Sequence, residues 1–345
     1  MPSHNKHSSG TGPAPGQARQ DWESLLEGIL AGNRTALARA ITLVESKRAA
    51  DSEAAGRIVE GCLPHSGRSI RIGITGVPGA GKSTFIERLG GMLLERGHRV
   101  AVLAVDPSSS LSKGSILGDK TRMQQLSRAE QAFIRPSPAG ETLGGVARKT
   151  RETISLCEAA GYDVVLIETV GVGQSETAVH GMVDFFLLLK ITGAGDELQG
   201  IKRGIVEMAD AIAINKAEGA NLKAARQAQG IFEQALHLFP PKPGGWVPRV
   251  LLCSSTEGTG FEAIWDLISE FRDTATASGH LASKRARQNL EWFRQAVDDA
   301  LLASFHKQPG IREAYERLRE AVGAGTVSPF RAAAQLMARW GGTTA

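Results

Sequence analysis

One segment, residues 76–84, restricts the choice of fold more than any other. It reads GVPGAGKST and fills every fixed position of the phosphate-binding pattern G-x-x-x-x-G-K-[ST]. A β-branched run over 70–75 precedes it, and residues with helical spacing follow from Phe85. A strand, a glycine loop and a helix in this order aim backbone N–H groups and a helix N-terminus at a phosphate chain. Because both flanking elements are in place, we favour a nucleoside triphosphate site over a chance glycine-rich turn.

Each residue of this loop is assigned to nucleotide binding. The glycines let the backbone curl with its N–H groups pointing inward, where a β-carbon would obstruct the phosphate. Lys82 is placed to neutralise the β- and γ-phosphates, and the Ser83 hydroxyl is placed to ligate Mg²⁺. The predicted nucleotide contacts in this loop are Gly76, Val77, Pro78, Gly79, Ala80, Gly81, Lys82, Ser83 and Thr84.

Composition restricts the environment and the partners. The chain has 345 residues and a formal net charge of +4 with both signs interspersed, so nothing demands a nucleic-acid partner. No apolar run approaches the roughly 20 residues of a membrane span, and the first residues lack the apolar core of a signal peptide. We therefore predict a cytoplasmic protein without membrane contact. Three widely spaced cysteines are expected to be reduced core thiols: Cys62, Cys157 and Cys253.

The pattern along the chain divides it into four regions. Residues 1–20 are rich in Ser, Gly, Pro, Gln and His, and we expect a disordered tail. Residues 21–66 have helical spacing and form a helical extension. Residues 67–275 alternate strands with helices, which predicts an α/β P-loop NTPase domain with a mostly parallel sheet flanked by helices. Residues 276–345 return to helix and are too short for an independent core, so they pack on their own domain or on a second copy of the chain.

Seven strands are predicted within the P-loop domain. Several are nearly continuous apolar runs, such as 164–167 and 185–189, as expected for strands that are covered on both faces. The candidate strands are 69–75, 99–105, 132–135, 162–168, 184–190, 209–214 and 249–253.

Acidic residues follow two of these strands, at the sheet edge where ligands of parallel α/β sheets bind. Asp106 comes directly after the strand that ends at Val105, and Glu168 follows the strand that ends at Ile167. Gly171 lies three residues after Glu168. A triphosphatase needs such a carboxylate to reach Mg²⁺ directly or through water, and such a glycine N–H to approach the γ-phosphate. A helix N-cap is the alternative role for Asp106.

A base-reading motif is predicted at residues 215–218. They read NKAE, close to Asn-Lys-x-Asp, in which the acid accepts hydrogen bonds from guanine N–H groups. Adenine cannot donate these bonds, and a buried carboxylate without a donor is costly, so guanine is favoured. Lys216 would lie along the base, Asn215 would tie the loop to the P-loop, and Glu218 is one methylene longer than the usual acid. The last strand delivers a polar turn that would support the base: Ser254, Ser255 and Thr256.

Taken together, these motifs resemble those of the GTPases associated with methylmalonyl-CoA mutase, the MeaB/ArgK group, whose human relative acts in cobalamin metabolism. The resemblance spans roughly residues 25–340. The segment GDKTRM at 118–123 is much more specific than a P-loop. The other matching segments are GVPGAGKST at 76–84, DPSS at 106–109, GSIL at 114–117, ETVGVGQSE at 168–176 and the near-match NKAE at 215–218.

The resemblance implies a homodimeric GTPase of low intrinsic turnover that binds GTP, GDP and Mg²⁺. Its implied partner is the adenosylcobalamin-dependent methylmalonyl-CoA mutase, and GTP hydrolysis would gate loading of the cofactor and protect the mutase from inactivation. The segment 192–202 is implied to be a switch that relays the nucleotide state to the mutase through Gln199 and Lys202. Composition alone would favour a plain solvated loop for this segment.

The predicted chemistry is phosphoryl transfer to water by positioning and charge neutralisation. Ser83 and Glu168 would organise Mg²⁺, with Asp106 and Asp119 in its outer sphere or moving in when the partner binds. No residue is clearly the water-orienting group, because Gln174 lies three residues beyond the glycine. Slow hydrolysis until a partner rearranges the site therefore follows. The catalytic assignments are Lys82, Asp106, Asp119, Glu168 and Gly171.

Two other functions fit part of the pattern. A P-loop kinase that phosphorylates a small basic substrate would need an acceptor pocket and a lid, and the base-reading motif near Asn215 argues against it. A GTPase that inserts nickel or another metal into a metalloenzyme would need a Cys/His cluster near the switches, which Cys157 and His180 do not make. Co-purification with a cobalamin enzyme would separate these functions.

Overall fold

The centre of the fold is a seven-stranded sheet. The computed structural model describes residues 15–105, 123–136, 143–169, 175–192 and 203–340, and for 15–20, 143 and 203 it describes the backbone alone. The strands are β1 Ile70–Gly76, β2 Val100–Val105, β3 Ala132–Arg135, β4 Val164–Thr169, β5 Phe185–Lys190, β6 Ala211–Ile214 and β7 Arg249–Leu252.

The topology of the sheet confirms the predicted α/β class. All seven predicted strands are present, and they lie in the order β3-β2-β4-β1-β5-β6-β7. Every pair of neighbours in this sheet is parallel, where the sequence predicted a mostly parallel sheet. Since β1 lies between β4 and β5, the loop that follows β1 opens next to the carboxyl ends of both neighbours.

Helices precede the sheet, alternate with its strands and follow it. The first three are α1 Pro15–Leu30, α2 Arg34–Val44 and α3 Ala49–Cys62. Those among the strands are α4 Lys82–Glu95, α5 Gln124–Arg128, α6 Leu143–Ala159, α7 Ser175–His180, α8 Arg203–Met208, α9 Leu222–Leu236 and α10 Phe261–Ala277. The last three are α11 His280–Lys307, α12 Ile311–Gly323 and α13 Pro329–Trp340. Of the helices described, none combines the length and the apolar character needed to cross a membrane.

Both faces of the sheet are buried. On one face, Ile72 of β1 belongs to the same cluster as Phe85 of α4 and Ile264 of α10. On the other face, Ile212 of β6 packs in a cluster with Phe232 of α9. Successive residues of a strand point to opposite faces, so a sheet covered on both sides needs apolar residues at consecutive positions. This explains the continuous apolar runs in the sequence.

The helical extension is fastened by polar contacts at the start of α2. Asn33 is its N-cap, and the side-chain Oδ1 accepts hydrogen bonds from the backbone N–H of Thr35 at 2.9 Å and of Ala36 at 3.0 Å. Arg34 then donates to the carbonyl oxygens of Ala129 at 3.1 Å and Ser127 at 3.3 Å. The extension is thereby joined to the segment that leads into β3. Helix α1 begins at Pro15, within the predicted tail 1–20.

A buried ion pair joins β1 to α6 at the amino-terminal edge of the sheet. Arg71 Nε and Nη2 donate to the two carboxylate oxygens of Glu158 at 2.8 and 2.9 Å, in the bidentate geometry of strong pairs. Gly67 N–H and the Ser69 hydroxyl also donate to this carboxylate, at 2.7 and 2.6 Å. Burial alone would raise the pKa of Glu158, but the bonds to Arg71, Ser69 and Gly67 outweigh it and lower that pKa. The carboxylate is therefore ionised at neutral pH.

The described chain divides into two compact units, one up to Lys284 and one from Arg285 onward. The sequence pattern predicts a boundary after residue 275 and no independent core beyond it. The structure differs, because α12 and α13 bury a small cluster of their own, formed by Ile311, Ala314 and Leu336. Helix α11 begins in the first unit and continues into the second.

Candidate nucleotide-binding site

The loop between β1 and α4 is shaped by glycines that a larger residue could not replace. Gly79 and Gly81 have φ of +81° and +86°, in the left-handed region that favours glycine. A β-carbon on Gly81 would come within 2.8 Å of Asn215 Nδ2, and one on Gly76 within 2.4 Å of the Leu189 carbonyl oxygen. The loop therefore needs glycine for its own conformation and for the close approach of two neighbouring segments.

Lys82 is the first residue of α4, and its ammonium group folds back over the loop. The residue is 9% exposed, and Nζ donates to the carbonyl oxygens of Gly76 at 2.8 Å and Val77 at 3.5 Å. Burial lowers the pKa of Lys82, while the carboxylates of Glu168 and Glu176 act in the opposite direction. The ammonium group is thus held by carbonyl oxygens that phosphate oxygens could replace.

Ser83 and Glu168 are brought together beside this loop. Ser83 Oγ donates to Glu168 Oε1 at 3.2 Å, and Glu168 is 6% exposed on β4. In the sheet, Glu168 lies opposite Ile74 of β1, so the carboxylate stands next to the start of the P-loop. Carboxylate and hydroxyl oxygens are the ligands that Mg²⁺ prefers in proteins. The two residues fit a magnesium site at the phosphate end of the pocket.

Asn215 links the P-loop to the base-reading loop. The residue is 1% exposed, and Nδ2 donates to the carbonyl oxygen of Ala80 at 2.9 Å. On its other side, Oδ1 accepts from the Ser255 backbone N–H at 3.1 Å and from the Ser255 hydroxyl at 2.9 Å. Asn215 therefore connects the base-reading loop to the P-loop, and Ser255 extends this connection to the turn after β7.

The carboxylate of Glu218 has one oxygen with unmet hydrogen-bonding capacity. Oε2 is buried and has no hydrogen-bond partner within the described chain. A buried carboxylate oxygen without a donor is costly, so this atom is suited to receive an N–H group of a ligand. Lys216, two residues earlier, has φ of +59° and is the one described non-glycine residue with positive φ. The backbone therefore adopts a left-handed conformation two residues before Glu218.

The turn after β7 contributes to the shape of the pocket. Ser254 is fully buried, and its Oγ accepts a hydrogen bond from the Glu257 backbone N–H at 2.9 Å. Ser255 uses its hydroxyl to hold Asn215. Thr256 is exposed. Of the three residues predicted to contact the base, Ser254 and Ser255 thus have their hydroxyl groups engaged in fixing the loops around it.

Some predicted site residues lie outside the residues that the structure describes. They are Asp106, Asp119, Gly171, Gln174, Gln199 and Lys202.

Glu176 is a further carboxylate whose charge acts on Lys82, and the sequence motifs did not predict this. It is half-buried in the first turn of α7, and its charge opposes the burial that lowers the pKa of Lys82. Helix α7 lies tightly on β1, since a β-carbon on Gly73 would come within 2.9 Å of Val179 Cγ1. The one signal in the sequence is that Glu176 ends the matching segment 168–176.

The described residues contain no cluster of side chains that could form a transition-metal centre. No group of three or more His, Cys, Asp or Glu side chains there is arranged to hold a metal ion. His180 packs edge-on against Phe186, with ring centroids 5.4 Å apart. Burial lowers the pKa of His180 to about 4, and the positive charge of Lys284 acts in the same direction. Cys157 is fully buried, and burial raises the pKa of its thiol.

Comparison with known proteins identifies the family. The model of the family described as methylmalonyl Co-A mutase-associated GTPase MeaB matches residues 37–310. The chain belongs to this family. The matched range includes the P-loop, β4 and residues 215–218.

Individual relatives of this MeaB family member cover nearly its whole length. It is 54% identical over 321 residues to a putative GTPase of Caulobacter vibrioides, which covers 93% of this chain and 98% of that protein. It is 48% identical over 325 residues to the mouse methylmalonic aciduria type A homolog, mitochondrial, covering 91% of this chain and 78% of that protein. A solved structure described as LAO/AO transport system kinase is similar with a TM-score of 0.73 and 39% identity, covering 95% of this chain and 98% of that one.

Proposed function

We propose that this MeaB family member binds and hydrolyses GTP, and that its nucleotide state controls a methylmalonyl-CoA mutase. The observation that carries the guanine part of this proposal is the buried Glu218 Oε2, which has no hydrogen-bond donor within the described chain. Guanine offers two neighbouring N–H donors at ring N1 and exocyclic N2, whereas adenine offers no donor at the equivalent ring nitrogen. The description of relatives as GTPases supports the same nucleotide.

The phosphate chain would lie between the P-loop and the Ser83–Glu168 pair. Lys82 would exchange its bonds to the carbonyl oxygens of Gly76 and Val77 for bonds to the β- and γ-phosphates. The backbone N–H groups at the start of α4 would add the positive end of a helix dipole. A bound Mg²⁺ would neutralise charge that develops on the phosphate oxygens, and Ser83 and Glu168 would hold it. Asp106 and Asp119 are proposed to complete its outer sphere.

Hydrolysis by this site would depend on positioning, without a covalent intermediate. Gly171 is proposed to approach the γ-phosphate with its N–H. A slow intrinsic rate follows, since no described residue is placed as a general base and the attacking water stays unoriented until a partner rearranges the switches.

The partner that accelerates hydrolysis is proposed to be an adenosylcobalamin-dependent methylmalonyl-CoA mutase. The family description names this association. In the proposed cycle, GTP hydrolysis gates the loading of adenosylcobalamin and protects the loaded mutase. Residues 192–202, with Gln199 and Lys202, are proposed to relay the nucleotide state, because this segment directly follows β5 at the nucleotide edge of the sheet.

Lys202→Ala is expected to keep basal GTP hydrolysis and to lose the acceleration by the mutase. The reason is that Lys202 would act on the partner or on a neighbouring switch without touching the phosphates. GTPase assays with and without purified mutase, on wild type and variant, measure this, and basal rates within about twofold of each other are expected. Lys223→Ala, at an exposed lysine of α9, serves as the control that keeps stimulation. Unchanged stimulation in Lys202→Ala would exclude the relay role.

We also propose that the protein is a homodimer that pairs through α11. Along this helix, Leu290, Phe293 and Leu301 are 69%, 69% and 51% exposed, and Val297 is 40% exposed. Their spacing of three, four and four residues places them on one face of the helix. A continuous apolar stripe of this kind is uncommon on a monomer and is typical of a buried contact. A second copy of the chain offers a matching stripe related by twofold symmetry.

Charge placed within this stripe is expected to give a monomer. Phe293→Glu combined with Leu301→Glu would put carboxylates in the centre of an apolar contact, where desolvation without a partner is unfavourable. Light scattering coupled to size exclusion should report twice the monomer mass for wild type and the monomer mass for the variant. Asp299→Lys, on the opposite face of α11, is the control and should stay dimeric. A wild-type protein that elutes as a monomer at micromolar concentration would refute the dimer.

A further inference from the structure

Asn221 occupies the N-cap position of α9 but does not cap it. An asparagine at this position usually accepts a hydrogen bond from the backbone N–H of the second or third helical residue. Here its Nδ2 donates to the carbonyl oxygen of Lys216 at 2.6 Å, and its Oδ1 accepts from the Thr192 hydroxyl at 2.5 Å. The side chain therefore contacts the base-reading loop and also Thr192, two residues after the end of β5.

The orientation of this amide follows from its partners. A carbonyl oxygen can only accept, so the NH₂ group of Asn221 must face Lys216. The remaining amide oxygen then faces Thr192, whose hydroxyl can donate to it. Thr192 thus helps to select the orientation in which Asn221 can donate to the loop.

The bond from Asn221 completes the anchoring of one peptide group in the base-reading loop. The peptide between Lys216 and Ala217 donates through Ala217 N–H to the Cys253 carbonyl oxygen at 3.0 Å. Its carbonyl oxygen, that of Lys216, is the one that Asn221 binds. Both polar ends of this peptide are therefore held, one by the segment after β7 and one by Asn221. This peptide directly follows Lys216 Cα, where the backbone has φ of +59°.

A left-handed conformation is unfavourable for a lysine, so the surrounding bonds must hold it. If the peptide after Lys216 rotated, the direction of the chain into Glu218 would change with it. Glu218 Oε2 is the buried acceptor that is proposed to read the base, and its position tolerates little displacement. The bond from Asn221 therefore controls the geometry of base recognition from outside the motif 215–218.

We propose that Asn221 is a positioning residue for guanine recognition, which holds the base-reading loop in the conformation that aims Glu218 at the base. This role rests on the proposed guanine-nucleotide function. Asn221 need not touch the nucleotide. It acts through the peptide between Lys216 and Ala217, and Thr192 supports it by fixing the orientation of its amide.

The test compares the binding of GDP and IDP by calorimetry in wild type, Asn221→Asp, Asn221→Ala and Thr192→Val. IDP lacks the exocyclic amine of guanine, so the ratio of the two affinities measures how well Glu218 reads the base. We expect Asn221→Asp to weaken GDP binding about tenfold and to reduce the GDP to IDP preference, because a carboxylate cannot donate to the Lys216 carbonyl oxygen. Asn221→Ala should act in the same direction, and Thr192→Val should show a smaller change. The kcat of the two Asn221 variants at saturating GTP should stay within about twofold of wild type.

A second comparison tests whether Asn221 acts through the backbone at Lys216. Glycine adopts the left-handed conformation without strain, so Lys216→Gly should reduce the need for Asn221. The effect of Asn221→Ala on the GDP to IDP ratio should therefore be smaller in the Lys216→Gly background than in wild type. An equal effect in both backgrounds would contradict the proposed route.

The outcomes distinguish a positioning role of Asn221 from a merely structural role. They also distinguish failure of this proposal from failure of the proposed guanine-nucleotide function. If Asn221 variants lower Tm but keep the wild-type GDP to IDP ratio, the residue is merely structural and the proposal is overturned. If Asn221→Asp does not fold, the GDP to IDP ratios of Asn221→Ala and Thr192→Val test the proposal. Asn221→Ala should fold, because Asn221 makes no side-chain cap hydrogen bond to α9 that the variant could lose. If wild-type protein binds GDP no better than ADP, the proposed guanine function itself fails.

Discussion

Lys82→Ala is expected to abolish the binding of GTP and GDP while the protein stays folded. The ammonium group bonds to carbonyl oxygens of the loop in the described structure, and phosphate oxygens would replace these partners. Two charge-assisted hydrogen bonds to phosphate, each worth about 1.5–3 kcal/mol, predict a loss of at least about 100-fold in affinity. The side chain is not part of the apolar cluster around α4, so Tm should change little.

Calorimetric titration with GDP and GTP measures this loss, and circular dichroism checks the fold. Lys307→Ala is the matched control, since Lys307 is an exposed lysine of α11 in the second compact unit. The control should bind as wild type does. Equal affinity of wild type and Lys82→Ala for GTP would refute the proposed phosphate site.

The protein is expected to prefer GTP over ATP by at least about 100-fold, because adenine leaves the buried Glu218 oxygen without a donor. Glu218→Gln is expected to lose this preference and to gain affinity for XTP. Xanthine has an oxygen in place of the exocyclic amine of guanine, and the amide of glutamine presents one acceptor and one donor side by side. The acceptor would receive the ring N–H, and the donor would face the new oxygen.

Competition binding with GTP, ATP and XTP against a fluorescent guanine nucleotide measures both parts of this prediction. Glu257→Gln makes the same chemical change at an exposed glutamate in the turn after β7 and should keep the wild-type order. Comparable binding of ATP and GTP by wild type would mean that Glu218 does not read the base. A P-loop kinase that uses ATP would then become the stronger hypothesis.

The strands were predictable from the sequence because burial on both faces leaves a direct mark on it. β5 contains a run of five apolar residues over 185–189, and in a chain of alternating strands and helices such a short run is typical of a buried strand. The order of the strands was not predictable, since it depends on contacts between residues far apart in the chain. Glu168 lies opposite Ile74, and only that pairing places its carboxylate beside Ser83.

The packing of the second compact unit, unlike the strands, was not predictable from the sequence. The short length of 276–345 suggested that this region forms no independent core. In the structure, Ile311, Ala314 and Leu336 are buried together because α12 and α13 lie against each other. The apolar face of α11, by contrast, stays exposed in the described chain, as expected for a surface that meets another molecule.

What the sequence by itself determined is the kind of site: a P-loop, a strand-end glutamate and a base-reading motif, each defined by residue types at short spacing. Such motifs are local, because a phosphate or a base is bound by a few successive backbone groups and adjacent side chains. What only the tertiary structure decided is how these parts are held in register. Asn215 bonds to Ala80 and to Ser255, and Asn221 bonds to Lys216 and to Thr192. The bond from Asn221 to Lys216 is local, but the other three join residues from different strands and loops. No spacing along the chain encodes those three, since they exist only once the parallel sheet has brought its carboxyl ends together.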